Sequence, residues 1–314
     1  MNEKFELIKN DSIEIDGHKL YRLRALINFN DVKAGDLGGY VENENNLSQM
    51  DDCWIYDNAK VFGNASVSGN ARIYGNAYID DNAYVCDNVC ISDDACVFSH
   101  AYVSGNARVF GNACISGNAR IDDNAYACDN VCIYGSASVY GDACIYDNAR
   151  VYDNACVFEN ASVSGNAHVF GNACISGNAR IDDNAYACDN VCIYGSASVY
   201  GNAYIYDNAR VYDNACVFEN ASVFGNANVF GDANISGDAI IEKDSDYIVF
   251  KNSWSSGRYF TYTKSNKMWR VGCFYGSGDE LIKKAYADSE NSGKHYEVYV
   301  NLVQEIEKLD NETD

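Results

Sequence analysis

From Ile55 to Ile240 the chain repeats one six-residue pattern 31 times without an inserted residue. The first position is Val or Ile except at Ala127 and Ala187, and the fifth is Ala except at Val89, Val131 and Val191. In the hexads containing Ala127 and Ala187 the small residue moves to the first position and valine takes the fifth, which conserves interior volume. A period of six is not helical. It describes a short strand, a corner and another short strand with aliphatic side chains always inward, and such a chain buries its stripe only by coiling on itself. Three hexads per coil build a triangular prism in which residues 18 apart stack at about 4.8 Å. The repeat therefore predicts about ten coils and a rod of roughly 50 Å.

Asn fills the fourth position in 24 of the 31 hexads, with Asp at 94, 142, 232 and 238, Ser at 136 and 196, and His at 100. Asn and Asp tolerate left-handed backbone, so this column predicts the corner, eased by Gly or Asp at the third position. Residues 103–162 and 163–222 are copies that differ only at Arg108/His168, Asp142/Asn202 and Cys144/Tyr204. Ten hexads are not a multiple of three, so each copied side chain returns one face further round the prism. The middle of the rod therefore reads as length and surface.

The hexads resemble the hexapeptide-repeat family, and that resemblance implies a left-handed parallel β-helix. The segment leading into the rod, through Gly35, Gly38, Gly39, Leu47, Ser48, Cys53 and Trp54, resembles bacterial and phage or prophage-encoded hexapeptide proteins labelled putative transferases. Gly272-Cys273-Phe274 and Gly276 resemble the C-terminal piece of phage-encoded members. The fold expected is mainly β: residues 1–48 a β cap, 49–241 the helix of hexads, and 242–314 a small α+β module. In that module YIVF, RYFTYTKS and KMWRVGCF read as three strands, followed by helices at about 278 to 288 and 294 to 309. Ser277 and Glu280 have capping-box spacing. His295, Tyr299, Leu302, Ile306 and Leu309 form an apolar stripe at helical spacing in the second helix.

The net charge is −22, with 14 cysteines and no proline. Such acidity disfavours direct nucleic-acid or anionic-lipid binding by the rod and favours basic partners. The N-terminus lacks a signal-peptide core and no membrane-length apolar run occurs, so a cytoplasmic protein with reduced thiols is expected, in host cytoplasm if phage-encoded.

The acyltransferases and zinc carbonic anhydrases of the resembled family require histidine. Here only His100 and His168 lie on the rod, as weak catalytic candidates. Cys96, Cys114 and Cys132 form one 18-residue ladder, and Cys156, Cys174 and Cys192 another. The first is a weak metal candidate, because a row along one strand face is not a tetrahedral cage. No cofactor is expected.

The candidate binding residues are aromatic rows at the second position, Tyr134, Tyr152 and Phe170 with Tyr194, Tyr212 and Phe230. Arg258, Trp269 and Arg270 of the last module join them, since interleaved cations and aromatics bind nucleotides. The same rows are also explained by cross-strand stacking alone. The function expected is a non-catalytic, phage-type binding scaffold that assembles with itself as a trimer or dimer and engages a basic host protein, as a counter-defence factor or acidic nucleic-acid mimic. The alternatives are a small-molecule acyltransferase and a nucleotide sponge.

Overall fold

A computed structural model describes residues 3–313. Hexad periodicity becomes a parallel β-solenoid of about eleven turns, with two-residue strands stacked in three sheets. The first face runs from Trp54–Ile55 to Asn234–Ile235, the second from Lys60–Val61 to Ile240–Ile241, and the third from Ser66–Val67 to Asn228–Val229. All pair in register 18 residues apart. The first- and fifth-position residues form one continuous core, nearly all completely buried. The cysteine ladders form as the 18-residue spacing predicts, Cys96, Cys114 and Cys132 on the second face and Cys156, Cys174 and Cys192 on the third.

The corner differs from the expectation. The left-handed residue is the third of the hexad, not the fourth: Asp57, Gly63, Gly69 and Gly75 begin a series with φ near +60°. Asn at the fourth position serves another purpose. Its side-chain amide donates to the residue 18 further on, and the longest run passes from Asn112 through Asn130, Asn148, Asn166, Asn184, Asn202 and Asn220 to Asp238. An amide both donates and accepts, so it can continue a ladder, whereas a carboxylate can only receive. All four fourth-position aspartates sit at the receiving end of a ladder.

At each strand the sixth- and second-position N–H groups donate toward the C-terminal end, as in Tyr78 N to Ala95 O and Asp80 N to Val97 O, while the parallel pairing turns the first-position N–H back toward the N-terminal end. Each end therefore leaves unpaired backbone groups that a cap must meet. At the N-terminal end the strands Phe5–Ile15, His18–Ala25 and Leu37–Val41 extend the second face. They bring donors to orphan carbonyls: Tyr40 N to Ala59, Glu42 N to Val61, and Asn46 Nδ2 to Ala65 at 2.8 Å. Buried Lys4 gives its Nζ to the carbonyls of Asp51 and Cys53, and burial pulls its pKa down. Gly38 and Gly39 permit this closure, since a Cβ there would lie 2.7 Å from Ile55 O or 2.4 Å from Ala59 O.

The C-terminal module supplies acceptors and also a donor, Tyr247 Oη to Asn228 O at 2.9 Å. The last-coil N–H groups of Asn228, Asn234 and Ile240 donate to Asp244 Oδ1, Thr261 Oγ1 and Ser265 Oγ at 2.6, 2.9 and 2.7 Å. This module has four antiparallel strands where three were expected, Tyr247–Lys251, Tyr259–Thr263, Met268–Val271 and Phe274–Gly276, because left-handed Gly272 breaks the third run in two. Helices α1 (Gly278–Asp288) and α2 (Glu290–Thr313) follow, and the Ser277/Glu280 capping box is formed. The apolar face of α2 is rotated from the expected stripe. Tyr296, Val300 and Val303 are buried with Tyr299 packed beside them, whereas Leu302 and Leu309 are 46% and 63% exposed.

Candidate functional site

The rod carries 21 Asp and Glu between residues 55 and 240, and their placement is systematic. Every third-position Asp or Glu accepts the backbone N–H of the residue 18 further on, from Asp57 with Gly75 to Glu219 with Gly237. Those N–H groups sit on tight left-handed corners. Asp122 and Asp182 accept from Ser104 and Ser164 Oγ at 2.7 and 2.8 Å. Much of the acidity is therefore corner chemistry, held as rigid, exposed carboxylate edges.

The aromatic rows stack as the spacing predicts. Tyr134, Tyr152 and Phe170 lie on the second face at centroid spacings of 4.9 and 4.8 Å with rings 2° from parallel. Tyr194, Tyr212 and Phe230 repeat the row on the third face at 4.9 and 5.4 Å, and Phe230 is 44% exposed. Offset stacking accounts for their mutual stability. Their outer edges remain on the surface.

The residues of the C-terminal module do not form one site. Trp269 is only 2% exposed and belongs to the core with Phe260 and Tyr262. Arg270 lies over the Phe218 ring at 4.7 Å and 3.7 Å from Glu219, so it fastens the module to the rod. Arg258 stands apart on an exposed loop between two strands.

His100 and His168 are not brought together either. His100 is an exposed corner residue, and His168 lies on the second face four rungs beyond Cys96. The His168 ring stacks on Tyr186 at 4.9 Å, and its Nδ1 is buried without a hydrogen-bond partner. Burial, then the charge of Arg150, hold its pKa below the ordinary histidine value, which favours a neutral ring packed as an aromatic.

Cys96, Cys114 and Cys132 stand one rung apart in a straight row. Among the described residues no group of three or more His, Cys, Asp or Glu is arranged to hold a metal ion. Burial, with the neighbouring thiols, pushes Cys114 up to about 11. Burial and the Asp129 carboxylate push Cys128 up to about 12. Thiolate is the reactive form. At pH 8, iodoacetamide should therefore modify exposed Cys273 first and Cys114 at least about tenfold more slowly. Peptide mapping over time reads this directly, and equal rates would contradict the packing described for the ladder.

A groove of about 770 Å³ on the first face, beside the N-terminal cap, includes Arg72, Tyr74, Cys90 and Arg108. The hexad reading overlooks it, because its walls belong to hexads 18 residues apart. Writing the sequence in rows of 18 exposes it, with Arg72-Ile73-Tyr74 and Arg108-Val109-Phe110 flanking Cys90-Ile91-Ser92.

Among the described residues no helix is long and apolar enough to cross a membrane. No curated protein matches the chain. Residues 203–219 match the family model described as YdcK Beta solenoid repeat, in agreement with the β-solenoid seen here.

Proposed function

We propose that this protein is a rigid contact scaffold of the phage-type hexapeptide class, which works by presenting its long faces to other proteins, a second copy of itself first among them. The observation that carries the reading is the pair of aromatic rows. The duplication displays the Tyr134–Tyr152 pair again as Tyr194–Tyr212 on the adjacent face, each pair flat to within a few degrees and each extended by a phenylalanine, Phe170 or Phe230. Large rigid aromatics with little side-chain entropy to lose are the residues on which protein interfaces concentrate. The carboxylate edges between the faces repel nucleic acid and favour basic protein surfaces.

The test is sedimentation velocity on the full chain. The reading expects a mass above the 34.6 kDa of one chain. Replacing Tyr134, Tyr152 and Phe170 together by serine should lower that mass. Serine occupies the second position naturally at Ser116 and Ser164, so the rod tolerates it. A wild-type protein sedimenting as one chain would remove the self-assembly part of the proposal.

A further inference from the structure

The first face carries one place where two rod cations lie within two coils of each other. Arg72 and Arg108 stand one rung on either side of Cys90, paired through Cys90↔Arg72 and Cys90↔Arg108. The next rod cation on this face is Arg180, four rungs beyond Arg108. The second-position column beside them reads Tyr56, Tyr74, Ser92, Phe110. Tyr56 and Tyr74 stack at 4.4 Å, and Phe110 is held from its C-terminal side by Tyr126 at 4.6 Å. The rung between Tyr74 and Phe110 has no ring, only Ser92.

The register thus sets Cys90 and Ser92 between an Arg72–Tyr74 rung and an Arg108–Phe110 rung, and the groove lined by Asp52, Arg72, Tyr74, Cys90 and Arg108 opens on the arginine side of this notch. Two rungs span about 9.6 Å. Stacked rings elsewhere on this rod are 4.9 Å apart, so one inserted planar ring would take the missing place in the stack. Along the strand, the second-position column lies two residues from the arginine column, about 7 Å away. That separation suits a base and its 5′-phosphate joined through a ribose.

The Asn70, Asn88 and Asn106 ladder lines one side of the groove, and each amide has a second N–H beyond the one that it gives its neighbour. Asp31 lies 3.8 Å from Arg72, whereas Arg108 makes no ion pair among the described residues, so Arg108 is the principal anion donor. Burial raises the Cys90 thiol, and the charges of Arg108 and Arg72 act against that shift.

We infer that the notch over Cys90 and Ser92 binds a nucleoside monophosphate, with the base between Tyr74 and Phe110 and the phosphate between Arg108 and Arg72. The inference does not depend on the assembly reading. The duplication carries His168 where the first copy has Arg108, so the arginine wall is not copied with it.

Isothermal titration of the full-length protein with AMP, adenosine and orthophosphate tests it. AMP should bind at least about tenfold more tightly than adenosine or orthophosphate, because only AMP engages both walls. Ser92→Tyr fills the missing rung with a residue common in that column and should abolish AMP binding without lowering the melting temperature. Arg108→Ala should weaken AMP at least about tenfold, whereas Arg180→Ala should leave it unchanged. No AMP binding at millimolar concentration, or AMP affinity equal in wild type and Ser92→Tyr, overturns the inference.

Discussion

Gly117→Val is expected to lower the stability of the rod by about 3 kcal/mol, mainly through the corner backbone. Gly117 has φ +68°, and a Cβ there would approach Gly135 O at 2.7 Å and Gly135 N at 2.9 Å. Those atoms are backbone of the next coil; Asp and Glu at equivalent corners adjust to it and accept its N–H, whereas a β-branched valine covers that N–H and strains the left-handed backbone. Strain and steric overlap therefore act together. Gly231 is the control. It has φ +66° but no atom within 4 Å of the added Cβ, so Gly231→Asn, a residue that adopts this conformation, should change stability by less than about 1 kcal/mol. Denaturant midpoints of the two variants measure the contrast. Equal losses at both sites would show that coil-to-coil clearance does not limit the corner.

The second large effect concerns the amide ladder. Asn148 accepts from Asn130 at 3.1 Å and donates to Asn166 at 3.2 Å. Asn148→Asp keeps the first bond and loses the second, and it sets a carboxylate against the Asn166 carbonyl oxygen. A loss of about 1 to 2 kcal/mol is expected, within the range for a severed hydrogen bond that leaves an acceptor facing an acceptor. The reverse change should stabilise. Asp142 ends its ladder, whereas Asn202, its counterpart in the second copy, donates onward to Asn220 at 3.0 Å. Asp142→Asn should therefore gain about 0.5 kcal/mol by reaching Asn160. Thermal unfolding of both variants decides the matter, and a neutral Asn148→Asp would refute the ladder as a stabilising element.

The rod, its register and the face shift of the duplication are legible in the sequence because the period is short and unbroken. Each follows from which residues lie 6 and 18 apart. The corner is less legible, since Gly, Asp and Asn adjoin there and all favour left-handed backbone. Composition alone does not say that the third residue turns while the fourth bonds sideways. The position of the four aspartates at ladder ends settles the distinction, and it emerges only once the coils are stacked.

The α2 stripe is misplaced in the sequence for a related reason. Tyr299 and Ile306 fit two overlapping helical faces, and contact with Phe250, Phe260 and Trp254 selects the one through Tyr296 and Val300. Trp269 reads as an exposed ligand-binding aromatic only while its sheet lacks a partner. Against the two helices it is core. The notch at Ser92 escapes a residue-by-residue search because its signal is a missing side chain between two well-furnished rungs.

The central claim is that the carboxylate edges hold corners while the aromatic rows make contacts. The most direct test neutralises the edge formed by Asp57, Asp93, Asp129, Asp147, Asp183 and Glu219, with Asn at the aspartates and Gln at Glu219, and follows native mass. Amide oxygens still accept the corner N–H groups, so the account predicts a folded rod whose mass equals that of the wild-type assembly. A folded rod that falls to a single chain would contradict it, because charge and not the aromatic rows would then be holding the copies together.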